Sequence, residues 1–125
     1  MVYRILGIGD SACETAANFR QEKNYSVDLV TDEMLGQHAN MEEYEKKFVS
    51  KSVAKALRKY RKADEVLIII NGASSANGAA LRIAQMIKKC RCSILFLAPS
   101  QAWSTPEETT NNKITFGVLQ EMTRS

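Results

Sequence analysis

The chain has 125 residues, 45% of them apolar and 25% charged, and a formal charge of +3. That length suffices for one domain with its own core and no staples, and so ordinary a soluble composition names no partner by itself. Three cysteines without a secretory signal argue for a reducing compartment and against a disulfide framework, and no apolar run approaches membrane-spanning length. The expected location is the cytoplasm, with no disulfides and no membrane partner.

Val2 to Ile8 reads as a first strand, ending at Gly9. Asp10 or Ser11 can cap the helix that follows, Ser11 to Glu14 fits a capping box, and Ala12, Ala16 and Phe19 form its packed face. Tyr25 to Val30 reads as strand two, closed by Thr31 and Asp32. After a loop at 36–40, one long crossover helix is expected, with Tyr44, Phe48, Val53, Leu57 and Tyr60 on its buried side. The basic cluster from Lys51 to Lys62 reads as that helix's solvated face. Aromatic residues beyond Tyr60 are not interleaved with it, so nucleic acid is not an expected partner.

Val66 to Ile70 is an unbroken β-branched and leucine run, the pattern of a central parallel strand. It stops in the small polar loop from Asn71 to Gly78, before a helix marked by Ala80, Ile83, Ala84 and Ile87. Strand four, Ser93 to Ala98, breaks at Pro99. Thr105-Pro106-Glu107-Glu108 starts a last helix, with Ile114, Val118, Leu119 and Met122 as its expected buried stripe. Trp103 sits in the loop between, as a cover for a hydrophobic edge or a ligand contact.

Strands alternating with helices predict a single α/β domain over 1–125: a doubly wound, Rossmann-like parallel sheet with helices on both faces. In that order the first and third strands are neighbours, and the loops at their C-terminal ends meet at the switch point. Both loops are built of small residues before a helix N-terminus, where backbone N–H groups and the helix dipole favour an anion. The expected phosphate contacts are the amides of Gly9, Asp10 and Ser11 on one side and of Gly72, Ala73, Ser74 and Ser75 on the other. Gly7-Ile8-Gly9-Asp10-Ser11-Ala12 matches a short dinucleotide fingerprint, and Asp32 falls where such a site wants an acid. No lysine stands in either loop, and no histidine is placed to activate Ser11. Neither a catalytic residue nor a protein-built metal site is expected. Cys90-Arg91-Cys92 lacks metal-ligand spacing, and His38 stands alone.

The pair of loops resembles the nucleotide-binding half of the tubulin and FtsZ superfamily. The residues that carry the likeness are Gly7 to Asp10, Val30-Thr31-Asp32, and Gly72-Ala73-Ser74-Ser75-Ala76-Asn77-Gly78 followed by Ala79-Ala80. In that family the last stretch is a glycine and threonine signature loop; here Ala73, Ser74, Ala76 and Asn77 replace four of its usual residues. The resemblance implies GTP or GDP as ligand, with Asp32 toward a phosphate-bound magnesium, Asn77 within the signature loop, Pro99 in the next loop and Glu107 toward the ribose. It also implies self-association in a cytoskeletal filament of the cell-division type. GTP hydrolysis would then depend on base-recognising and second-domain parts not among these residues, so the chain is expected to be the N-terminal part of a longer protein.

Two other readings fit the residues. The alanine and serine replacements suit a degenerate, non-catalytic α/β interaction module that no longer binds nucleotide. Asn71 to Ser75 also suits a sugar-phosphate binder of the isomerase type, for which no acid–base Glu or His is evident.

Overall fold

The computed structural model describes residues 3–98 and 102–124. Four strands, β1 (Tyr3–Ile8), β2 (Tyr25–Val30), β3 (Glu65–Asn71) and β4 (Arg91–Leu97), form one sheet in the order β2-β1-β3-β4. Every pairing is parallel, and Ile8 lies level with Val30 on one side and Ile70 on the other. The chain is therefore α/β with an all-parallel sheet, and the ends of β1, β2 and β3 emerge side by side.

Successive strand residues point to opposite faces, and both faces are apolar. On one, Ile5 and Ile69 pack with Ala12 and Ala16 of α1 (Asp10–Ala17). On the other, Leu6, Ile8, Val66, Ile68 and Ile70 pack against α4 (Lys51–Leu57), α5 (Asn77–Met86) and Leu119 of α6 (Pro106–Arg124). Gly7 is required where α1 crosses β1: a Cβ there would meet the Ala16 methyl at 2.8 Å and the Ala12 carbonyl at 3.0 Å. Gly78 plays the same part for α5, whose backbone abuts Met41 and Glu45 of α3 (Met41–Lys46).

The expected long crossover helix is divided. A short α2 (Asp32–Leu35), α3 and α4 take its place, with 47–50 between the last two outside any helix. Asn40 caps α3 by accepting from the Glu43 N–H at 2.9 Å, and α3 ends at Lys47. The break lets Tyr44, Val53, Leu57 and Tyr60 all reach the core, which one straight helix of that length would not allow. Asp32 itself opens α2, with Thr31 as the side-chain cap through the Met34 N–H at 3.3 Å.

Two more corrections concern helix faces. In α6, Ile114 and Val118 are exposed, while Asn111, Thr115 and Leu119, four residues apart, form the buried row with Met122 partly covered. In α1 the N-cap is Gly9, at φ +91°, so the Ser11 to Glu14 capping box does not form. The capping box at Thr105 does form: its hydroxyl accepts from the Glu108 N–H, and Glu108 accepts from the Thr105 N–H. Cys13 and Cys90 are buried and Cys92 is exposed, so the last cysteine lies outside the core. Trp103, 88% exposed, covers no edge.

At the N-terminal ends of the strands a polar cluster closes the sheet. Arg4 Nε donates to Asp64 at 2.8 Å, the Arg4 guanidinium lies 5.0 Å from the Tyr60 ring centre, and the Tyr60 hydroxyl donates to Asp28 at 2.9 Å.

Candidate functional site at the switch point

The crevice between β1 and β3 is where the predicted residues converge. A Cβ on Gly9 would stand 3.6 Å from both the Asp32 carboxylate and the Ser74 hydroxyl, so three loops meet at that glycine. Asp10 and Asp32 bond reciprocally: the Asp32 N–H donates to the Asp10 carboxylate at 2.9 Å, and the Asp10 N–H donates to Asp32 Oδ1 at 3.2 Å. Ser11 joins the opposite loop, its hydroxyl accepting from Asn71 Nδ2 at 2.9 Å.

The loop after β3 is folded on itself. The Gly72 N–H extends the ladder to the Leu97 carbonyl at 3.0 Å. The Ala73 N–H donates to Asn71 Oδ1 at 3.0 Å, the Ser74 N–H to the Asn71 carbonyl at 3.1 Å, and the Ala76 N–H to Ser74 Oγ at 3.1 Å. Among the described residues, the Ser75 N–H meets no acceptor. Of the amides expected at a phosphate, then, Gly9, Asp10, Gly72, Ala73 and Ser74 each already have a protein acceptor, Gly9 through the Val30 carbonyl at 2.8 Å.

The carbonyls of this loop are tied down from behind. Asn77 is fully buried, and its Nδ2 donates to the carbonyls of Asn71 at 2.7 Å and Gly72 at 3.1 Å, and to Thr115 Oγ1 at 3.1 Å. Asn111 Nδ2 donates to the Ala73 carbonyl at 3.2 Å and to Ser75 Oγ at 3.4 Å. Asn112 closes against Gly72, where a side chain would collide with it and with Phe96. Asn77 is thus a brace behind the loop. Asn111 and Thr115 of α6 share that work and escaped the sequence reading. The signal for them was polar residues at four-residue spacing in line with Leu119, a row that must meet backbone groups to be buried.

Beside the crevice lies a cavity of about 460 Å³ lined by Asp10, Asp32, Glu33, Gly36, His38 and Tyr44 among others. It is acidic at its mouth. Burial, followed by the neighbouring Asp10, pushes the Asp32 carboxyl above the usual range, against the Asp10 N–H that lowers it. Burial, with Asp10 and Asp32 adding to it, pushes the Cys13 thiol up to about 11. His38 stacks edge-on against Tyr44, with ring centres 4.9 Å apart. Glu107 is exposed in the first turn of α6, one turn before Asn111, and Pro99 lies outside the described residues.

No group of three or more His, Cys, Asp or Glu able to hold a metal occurs among the described residues. A magnesium carried in by phosphates needs only one or two carboxylates, and Asp10 and Asp32 meet that requirement. A second concavity, of about 430 Å³, lies at the other end of the strands between Tyr3, Phe19, Tyr25, Leu67 and Arg91.

The fold and the crevice define an α/β protein with a four-stranded parallel sheet and two small-residue loops at its switch point. Compared with known proteins, the chain has no match: no family model, no curated protein and no solved structure is significantly similar to it.

Proposed function

We propose that the chain is the nucleotide-binding domain of a tubulin or FtsZ-like polymer protein, of doubly wound Rossmann-like type, taking GTP or GDP with magnesium. The observation that carries the reading is the strand order β2-β1-β3-β4, with the loops after β1, β2 and β3 meeting at Gly9. Ligands of open α/β sheets bind at such a point. The acidic mouth suits phosphates that arrive with a cation, Asp32 and Asp10 lying toward the metal and Ser74, Ser75 and Ser11 toward phosphate oxygens. Glu107, in the first turn of α6, is on this reading the residue for the ribose. Hydrolysis and filament contacts belong, on this reading, to groups outside these 125 residues.

A second reading has its own support. The amides of Gly72, Ala73 and Ser74 already have acceptors within the protein, as suits an interaction module that has given up nucleotide. Calorimetric titration of GTP, GDP and ATP with magnesium separates the two. Saturable binding that is lost in Ser74→Asp, which sets a negative charge in the crevice, supports the nucleotide reading. No heat with any nucleotide, in the wild type as in the variant, supports the module.

A further inference from the structure

We propose that the free edge of β4 pairs with the same edge of a second copy of this chain, antiparallel about a two-fold axis at Ile94. The two sheets then run on as one. The contact lies at the end of the sheet, beyond the crevice, and does not depend on the nucleotide reading.

β4 ends the sheet order and pairs with β3 alone among the described residues. The Arg91 N–H donates to the Asp64 carbonyl at 3.1 Å, and the Leu97 carbonyl accepts from the Gly72 N–H at 3.0 Å, so the odd-numbered residues turn their backbone groups toward β3. Backbone groups alternate sides along a strand, which leaves the N–H and C=O of Cys92, Ile94 and Phe96 on the outer edge. That edge lacks the usual guards: from Cys92 to Leu97 the strand holds no charge and no proline. The opposite end of the sheet is guarded, since β2 carries Asp28, whose side chain is only 11% exposed and pairs with Lys59 at 2.7 Å.

Both faces of β4 are apolar and incompletely covered. On one, Phe96 meets the half-exposed Phe116 of α6, with ring centres 5.7 Å apart; on the other, Leu95 is 38% exposed. The accessible surface of 7773 Å² exceeds by about 1,000 Å² the value of about 6,700 Å² usual for 14.0 kDa. A stable interface takes about 800 Å² from each partner, so the area is there.

A second copy fits this edge by its own symmetry. Pairing about Ile94 sets Ile94 against Ile94, Phe96 against Cys92 and Leu95 against Ser93, and each pair shares one face of the joined sheet. All three outward residues exchange backbone hydrogen bonds. The one charge of β4, Arg91, falls at opposite ends of the ladder, about 20 Å from its counterpart. Because the same patch serves both chains and β2 is guarded, the assembly closes at two and does not grow into a fibre.

The test is equilibrium sedimentation of the full chain without nucleotide over a concentration series, joined to amide hydrogen exchange, with circular dichroism to report folding of each variant. The mass is expected to rise from one chain to two, and the Ile94 and Phe96 amides to gain protection in step. Leu95→Lys brings two like charges within about 8 Å across the axis and is expected to weaken the dimer at least about tenfold. Cys92→Pro removes an outer N–H at a place where an edge strand tolerates proline, and is expected to weaken it as well. Ile114→Lys, in the groove of Met41 and Leu81, is expected to leave the dimer intact. A wild type that stays monomeric throughout overturns the proposal and leaves the edge to a strand of a different protein. A dimer lost in Ile114→Lys but kept in folded Leu95→Lys and Cys92→Pro moves the contact to α6 and overturns it too. So does a mass that climbs past two chains.

Discussion

Asp64→Ala removes the acceptor that holds Arg4 inside the protein. Asp64 Oδ2 accepts from Arg4 Nε and from the Arg61 N–H, each at 2.8 Å. The two side chains are only 10% and 4% exposed, so water cannot stand in for a lost partner. Around the guanidinium there would remain the Lys59 carbonyl at 3.1 Å, the Ser26 hydroxyl at 3.4 Å and the Tyr60 ring. None of these three carries a formal charge. Stranding a buried cation in this way costs about 3–5 kcal/mol, whereas replacing both members of a buried pair by apolar residues is close to neutral. Against about 5–15 kcal/mol for a whole domain, the single loss is severe. Urea unfolding of wild type, Asp64→Ala and the double variant Arg4→Met, Asp64→Leu measures it. The single variant is expected to lose about 3–5 kcal/mol at unchanged m-value and the double to recover most of that. A single loss under about 1 kcal/mol, the range of exposed pairs, or a double variant no better than the single, would refute the reasoning.

The Asp32 carboxyl titrates above its unfolded value, so the folded state holds the extra proton and stability falls as pH rises from the ordinary carboxylate range through the folded pKa. Asp32→Asn keeps an acceptor for the Asp10 N–H and removes the charge. Its melting temperature should equal wild type in acid and exceed it at neutral pH; a gap that does not change with pH would contradict this. Cys13, buried with its thiol pushed up to about 11, should resist a thiol reagent until the protein unfolds, while Cys92, an exposed residue whose partly covered sulfur also has its thiol pushed up by burial, should react faster than Cys13 in the native state. Native labelling of Cys13 at the rate of Cys92 would mean that α1 does not close over β1.

The elements that position the crevice were legible because each carries an unambiguous local pattern. Val66 to Ile70 is uninterrupted, with all but the half-buried Leu67 in the core, and Ala80, Ile83 and Ala84 keep a helical step in α5, which takes in Asn77 and Gly78 and ends just before Ile87. The neighbouring places of β1 and β3, expected from the alternation of strands and helices, appear in the sheet order. What escaped was fixed by partners distant in sequence. Asp32 and Asp10 are 22 residues apart and Asn111 and Ala73 are 38 apart, and no local period announces either bond. The same limit turned the face of α6. Ile114 and Val118 looked like core, yet Asn111 and Thr115 take the inner row because the loop's carbonyls and Asn77 need polar partners there. The division at 47–50 was hidden because Phe48 and Val49 continue the apolar step while the chain leaves the helix.

The most direct test of the nucleotide reading is amide chemical-shift mapping of the chain titrated with GTP and magnesium. The account predicts saturable shifts concentrated at Gly9 to Ser11, Asp32 and Gly72 to Ser75, with the Ser75 amide, which has no acceptor among the described residues, moving strongly. Absence of saturable shifts, or shifts gathered instead in the concavity of Tyr3, Phe19, Tyr25 and Arg91 at the other end of the strands, would contradict it.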